Sequence, residues 1–154
     1  MIEYRIATSS DAEILANIRV DFLCEANNVR DEEEKEKLFT NNKQFMIDAL
    51  STESFVAWLA ISGTEIAATS GISFYKLPPN KNCPSGKVGY ISNMFTYPEY
   101  RKQGIASKLF RLIVEESKKR GHTKILLTAT DQGRPIYEKY GFESLKNDMI
   151  YYIK

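Results

Sequence analysis

Apolar residues recur along the chain with two periods, and each switch between them marks a change of element. Ile2 to Ala7 alternates as a first strand, and Thr8-Ser9-Ser10 follows as a loop. Ser10 and Glu13 have the spacing of a capping box. Leu15, Ile18, Phe22, Leu23 and Ala26 then fall on one helical face, which Asn27-Asn28 ends. The run from Asp31 to Lys37 predicts a solvated helix start, in which Glu33 and Lys37 attract while Glu32 and Glu36 repel. Leu38, Phe39, Phe45, Met46 and Leu50 continue it as a second helix. Phe55–Ile61 and Ile66–Tyr75 read as antiparallel strands around the turn Ser62-Gly63-Thr64-Glu65. Leu77 to Lys87 holds Pro78, Pro79, Pro84 and Gly86 and reads as a loop.

The stretch from Tyr90 to Val114 organises the rest. Val88 to Tyr97 is the central strand, with Ser92 and Met94 expected on one face and Ile91, Asn93 and Phe95 on the other. Pro98 has no amide hydrogen to continue the pairing. After the turn Arg101-Lys102-Gln103-Gly104, a helix begins with an apolar stripe of Ile105, Leu109 and Ile113 and, one step round, Ala106, Phe110 and Val114. Lys108, Arg111, Glu115, Lys118 and Lys119 take its other side, and Gly121 stops it. The amides of such a first turn lack partners within the helix, and the helix dipole favours an anion there. Gly104 permits close approach to the backbone, and Arg101 and Lys102 add positive charge at the rim. The turn therefore suits a phosphate or pyrophosphate.

Lys124 to Thr130 reads as a strand and Asp131-Gln132-Gly133 opens a short helix, with Pro135 at an early position that tolerates it. Phe142 to Ile153 is expected as a closing strand or hairpin turning at Asn147-Asp148. No repeat or linker divides the chain, so residues 1–154 are read as one domain, long enough to bury a core.

Composition narrows the function classes. Twenty-one basic against 20 acidic side chains give a net charge of +1, which supplies no general drive toward nucleic acid or a membrane surface. No apolar run approaches the length of a membrane span, and no apolar run behind Met1 reads as a secretory signal, so a cytoplasmic location is expected. Cys24 and Cys83 are too few for a disulfide framework, and Cys83 has no base beside it in sequence. One histidine, His122, and no cysteine cluster imply no metal site.

Arg101-x-x-Gly104-x-Ala106, behind a strand ending Phe95-Thr96-Tyr97-Pro98, resembles the acyl-CoA-binding signature of the GCN5-related N-acetyltransferases (GNAT). A second segment, Gly133-Arg134-Pro135-Ile136-Tyr137-Glu138-Lys139-Tyr140-Gly141-Phe142, resembles that family's late helix, and the two occur in the family's order. The resemblance covers most of the chain in architecture and is specific from about Tyr90 to Phe142. It implies an α/β fold of mixed α+β character, with a mostly antiparallel, splayed central sheet flanked by helices. It also implies acetyl-CoA as co-substrate and a primary amine as acceptor, with a small molecule favoured.

By the same resemblance, the amides of Lys102, Gln103, Gly104, Ile105 and Ala106, beside Arg101, would hold the pyrophosphate. The main chain of Met94, Phe95 and Thr96 would bond the pantetheine arm, with an amide near Met94 at the oxyanion. Tyr137 would be the general acid toward the departing sulfur, a role a phenol suits because it is protonated at neutral pH. Thr130 stands where the family often has an asparagine and is expected to bond the same arm. The family's strand glutamate has no counterpart, so the base is open among Glu25, Glu65 and a water chain. A peptide or protein acceptor and a non-catalytic acyl-CoA-binding module remain open as alternatives. The second helix, the Leu77–Lys87 loop and the closing strands are expected around the acceptor, and an exposed C-terminal strand could pair two copies.

Overall fold

The computed structural model describes residues 1–154. Its strands are β1 (Ile2–Ile6), β2 (Phe55–Ser62), β3 (Glu65–Lys76), β4 (Lys87–Thr96) and β5 (Lys124–Leu127). Its helices are α1 (Ala12–Asn27), α2 (Glu32–Ser51), α3 (Ile105–Lys119) and α4 (Arg134–Tyr140). One five-stranded sheet runs in the order β1-β2-β3-β4-β5. Its first three pairings are antiparallel, whereas β4 and β5 are parallel across the α3 crossover.

The alternation along β2 sorts the core into two layers. Phe55, Ala57 and Leu59 point to one face and pack with Leu15 of α1 and Met46 and Ala49 of α2. Val56, with Ile72 and Ile91, points to the other and packs with Phe110, Ile113 and Val114 of α3. Full burial of side chains of this size contributes roughly 1.5–3 kcal/mol each, so the α3 stripe anchors the helix firmly. The α2 start is set by Asp31, whose carboxylate accepts the Glu34 amide at 2.9 Å, and by three acids in the first turn. Asn28 closes α1 in the left-handed region at φ 54°, which asparagine tolerates.

The chain departs from expectation in several places. The turn into α1 is organised two residues earlier, around Asp11, whose carboxylate accepts hydrogen bonds from the Thr8 amide at 2.7 Å and from the two terminal guanidinium nitrogens of Arg5 at 2.8 Å. Glu13 pairs instead with Lys43 of α2 at 3.0 Å. β5 ends at Leu127, three residues short of Thr130. Residues after Gly141 form no strand, and Met149, Ile150, Tyr151, Tyr152 and Ile153 are exposed. Their apolar residues are consecutive, not alternating, so nothing selects one face or register against β5. The Leu77–Lys87 loop is folded on itself, with the Leu77 amide bonded to the Gly86 carbonyl at 2.8 Å. Cys83 is buried in it against Thr123, at the end of the sheet where β4 begins.

Candidate functional site

Midway along β4 the regular pairing fails. The register with β3 steps from Gly71↔Ser92 to Thr69↔Phe95, so Ser70 faces both Asn93 and Met94. This is a β-bulge, and Asn93 carries it at φ 59°. The extra residue resets the alternation. Ser92 and Asn93 both line a cavity under α1 and α2, whereas Met94 packs with Ile91 on the α3 side. The expected sharing of one face by Ile91 and Asn93, and the other by Ser92 and Met94, is thereby overturned.

On its other edge, β4 pairs with β5 only from Val88 to Ile91. Beyond Leu127 the two strands share no register, and the β5-facing edge of Ser92–Thr96 has no strand beside it. This is the splay that the fold class implied. Met94, Leu127, Ala129 and Tyr137 all belong to the apolar cluster that flanks the opening.

The splay leads to the start of α3. Lys102 and Gly104 take positive φ values of 61° and 78°. A Cβ at Gly104 would meet no atom within 4 Å, so the glycine answers the backbone angle and not crowding. No side chain caps α3, and the first main-chain bond of the turn joins the Lys108 amide to the Gly104 carbonyl at 3.1 Å. The amides of Ile105, Ala106 and Ser107 are left for an external acceptor. Gln103 reaches back to the Glu99 carbonyl at 3.3 Å.

Arg101 is not free rim charge. Its Nε donates to the Thr96 carbonyl at 2.9 Å, and one terminal nitrogen donates to both Glu25 oxygens at 2.8 Å. It therefore clamps the end of β4 to α1, and it occupies Glu25 as well. Glu65 accepts the Tyr100 hydroxyl at 2.9 Å. Neither carboxylate is an unengaged base.

Tyr137 is 8% exposed and lies against Phe110, with ring centroids 5.2 Å apart. A side chain at Gly133 would come within 3.1 Å of its hydroxyl, so the bare backbone of Gly133 leaves room for that group. Burial alone raises the phenol above its ordinary pKa. Thr130 turns inward on its own loop, its hydroxyl accepting the Gly133 amide at 3.2 Å. His122 stacks on Phe74 at 4.2 Å, a packing position.

The cavity under α1 and α2 has a volume of about 230 Å³ and is lined by Arg19, Asn42, Phe45, Met46, Phe55, Ser92 and Asn93. A larger one, of about 760 Å³, opens on the outer side of β5 between α3, α4 and residues 141–148. No residue of β4 or of the Lys102–Ala106 turn lines it, but Leu127, Ala129 and Tyr137 do, so it adjoins the splay from the β5 side, where the closing strand is missing. The Leu77–Lys87 loop contributes to neither. Sequence reasoning missed Arg19, which sits four residues after Leu15 and three before Phe22, on the apolar stripe of α1 itself. A cation at that spacing was the available signal.

The acetyltransferase (GNAT) family model matches residues 15–142. The chain belongs to this family. Among solved structures, a predicted acetyltransferase of Clostridium acetobutylicum, crystallised with acetyl-CoA, superposes with a TM-score of 0.89 at 32% identity, over 99% of this chain and 96% of that one. A GCN5-related N-acetyltransferase of Ralstonia eutropha gives 0.88 at 27% identity, over 99% of each chain. A glucosamine 6-phosphate N-acetyltransferase of Trypanosoma brucei brucei is 32% identical over 62 residues, 40% of this chain and 42% of that protein. An uncharacterised N-acetyltransferase of Escherichia coli is 28% identical over 61 residues, 40% of this chain and 37% of its length. The chain thus spans less than half of these two curated relatives. Acetyl transfer with acetyl-CoA is the general activity that membership of the GNAT family supports.

Proposed function

We propose that the protein transfers the acetyl group of acetyl-CoA to a primary amine of a small molecule, by direct attack within a ternary complex. The observation that carries this reading is the parting of β4 from β5 after Ile91, which leaves the β5-facing edge of Met94–Thr96 without a strand beside the uncapped start of α3, with the Thr96 carbonyl taken by Arg101. The pantetheine arm lies along that free edge, and the pyrophosphate sits on the turn from Lys102 to Ala106. The amine nitrogen attacks the thioester carbon and a C–N bond forms. An amide near Met94 steadies the oxyanion, and the C–S bond then breaks. The amine gives up one proton to solvent water, the departing sulfur takes one from Tyr137, and the phenolate regains its proton from solvent.

The cavity of about 230 Å³ is smaller than the ~300–1,000 Å³ of sites that enclose drug-sized ligands. That size favours a small headgroup over a peptide. The Trypanosoma relative, named for a phosphorylated amino sugar, also favours a small-molecule acceptor.

The test is release of free thiol from acetyl-CoA against a broad amine panel, for the native protein and for Tyr137→Phe. Amine-dependent release is expected, falling by about 10²-fold in the variant, within the range for loss of a general acid. Binding of coenzyme A by Tyr137→Phe should stay within a few-fold of native. Coenzyme binding without thiol release for any amine would replace the transferase with a binding module.

A further inference from the structure

Asn93 and Arg19 are two groups that the reaction above does not use, and they line the same cavity. Asn93 is 1% exposed, and neither its amide nitrogen nor its amide oxygen has a hydrogen-bond partner. A buried amide left unpaired costs on the order of 1–3 kcal/mol, and the left-handed bulge adds to the cost of placing it there. The structure spends stability to aim this group into the cavity.

Arg19 presents the same anomaly in a charge. It enters none of the nine ion pairs of the protein. It rests over the Phe22 ring at 5.2 Å and is largely withdrawn from water, which lowers its pKa while leaving it charged. No carboxylate acts on it, and the Tyr90 phenol is the one ionisable neighbour that does. Nor is there an Asp or Glu among the residues that line the cavity. A half-buried guanidinium without a counter-charge is stabilised when an anion arrives, and its planar fork matches an oxyanion in two hydrogen bonds.

We propose that this cavity is the acceptor subsite and that it selects an amine whose molecule also carries an oxyanion, a carboxylate or a phosphate. The acidic group seats on Arg19, with the Asn93 amide donating beside it. The inference rests on the acetyltransferase reading and adds the substrate class. Gly71 makes the room: a Cβ there would fall 2.3 Å from the Phe55 ring and 3.3 Å from Asn93 Cβ.

The test uses matched amines that differ only in the acidic group: an amino acid against its amide, and an amino-sugar phosphate against the free amino sugar. Native protein should acetylate the acid-bearing member of at least one pair with kcat/KM higher by about 10–100-fold, the value of a hydrogen bond to a charged group. Which pair shows the preference distinguishes carboxylate from phosphate. Arg19→Met should abolish the preference by raising KM for the acidic member alone, and Arg19→Lys should keep part of it. Asn93→Asp, which tolerates the same backbone angle, should reverse it. Calorimetric binding of the N-acetylated products gives the same comparison without turnover. Faster acetylation of the neutral members, or equal loss on both in Arg19→Met, would overturn the proposal while leaving the transferase intact. Failure to bind acetyl-CoA would overturn both.

Discussion

At the scale of single residues, the site depends on exceptions to the pattern around them. Gly71 is a glycine inside a strand, where it costs stability, yet the Phe55 ring occupies the volume its Cβ would take. Gly71→Ala should destabilise the fold by about 1–3 kcal/mol, lowering the melting point by roughly 2–4 °C per kcal/mol. An unchanged melting point would mean that Phe55 moves freely. Proton traffic is a residue-scale matter as well. Burial raises the Tyr137 phenol, so it stays protonated, and able to donate, beyond the usual value near 10. No carboxylate lines the cavity proposed for the acceptor, so turnover should follow the neutral fraction of the amine. The log of kcat/KM should climb with slope one toward the amine's own pKa, with no fall before about pH 10. A plateau reached near pH 7 would reveal a base in the protein.

At the scale of elements, two charged clamps hold the frame. Asp11 joins β1 to the start of α1 through Arg5 and the Thr8 amide. The hydrogen bonds from Arg5, with that from the Thr8 amide, hold its carboxyl below the ordinary aspartate range. A lowered carboxyl stabilises the fold above its unfolded value near 4 and loses that effect as pH falls through the folded value. Asp11→Asn should therefore cost ~1–2 kcal/mol at neutral pH, discounted because Arg5 is half-exposed. The gap between variant and native should stay level down to about pH 4 and close below it, as urea unfolding across pH would read. Arg101 is the second clamp, between Glu25 and the Thr96 carbonyl. Arg101→Ala should weaken coenzyme A binding several-fold by loosening the approach to α3, and Arg101→Lys should not restore it, because a lysine cannot reproduce the fork.

The elements themselves were legible where one face is buried. Leu15, Ile18 and Phe22, or Ile105, Leu109 and Ile113, announce a helix because burial enforces the period. The bulge at Asn93 was not legible, since one inserted residue preserves the look of alternation while moving Asn93 across the sheet. The charge of Arg101 was legible and its use was not, because Glu25 stands 76 residues away in sequence.

At the scale of the whole molecule, three separate stretches converge on one end of β4: the bulge and its cavity, the free edge toward β5, and the uncapped turn before α3. At the opposite end of the sheet the Leu77–Lys87 loop folds back on itself and buries Cys83 against Thr123. This polarity suits the proposed placement of acetyl-CoA, with its pyrophosphate on the turn and its thioester at the bulge. The most direct measurement is calorimetric titration with acetyl-CoA and with S-acetylpantetheine, which keeps the thioester arm and lacks the pyrophosphate. Saturable binding of acetyl-CoA, with S-acetylpantetheine weaker by at least about 10-fold, or roughly 1.4 kcal/mol, is the predicted result. Equal affinity for the two would contradict the role of the Lys102–Ala106 turn, and no binding of either would contradict the site as a whole.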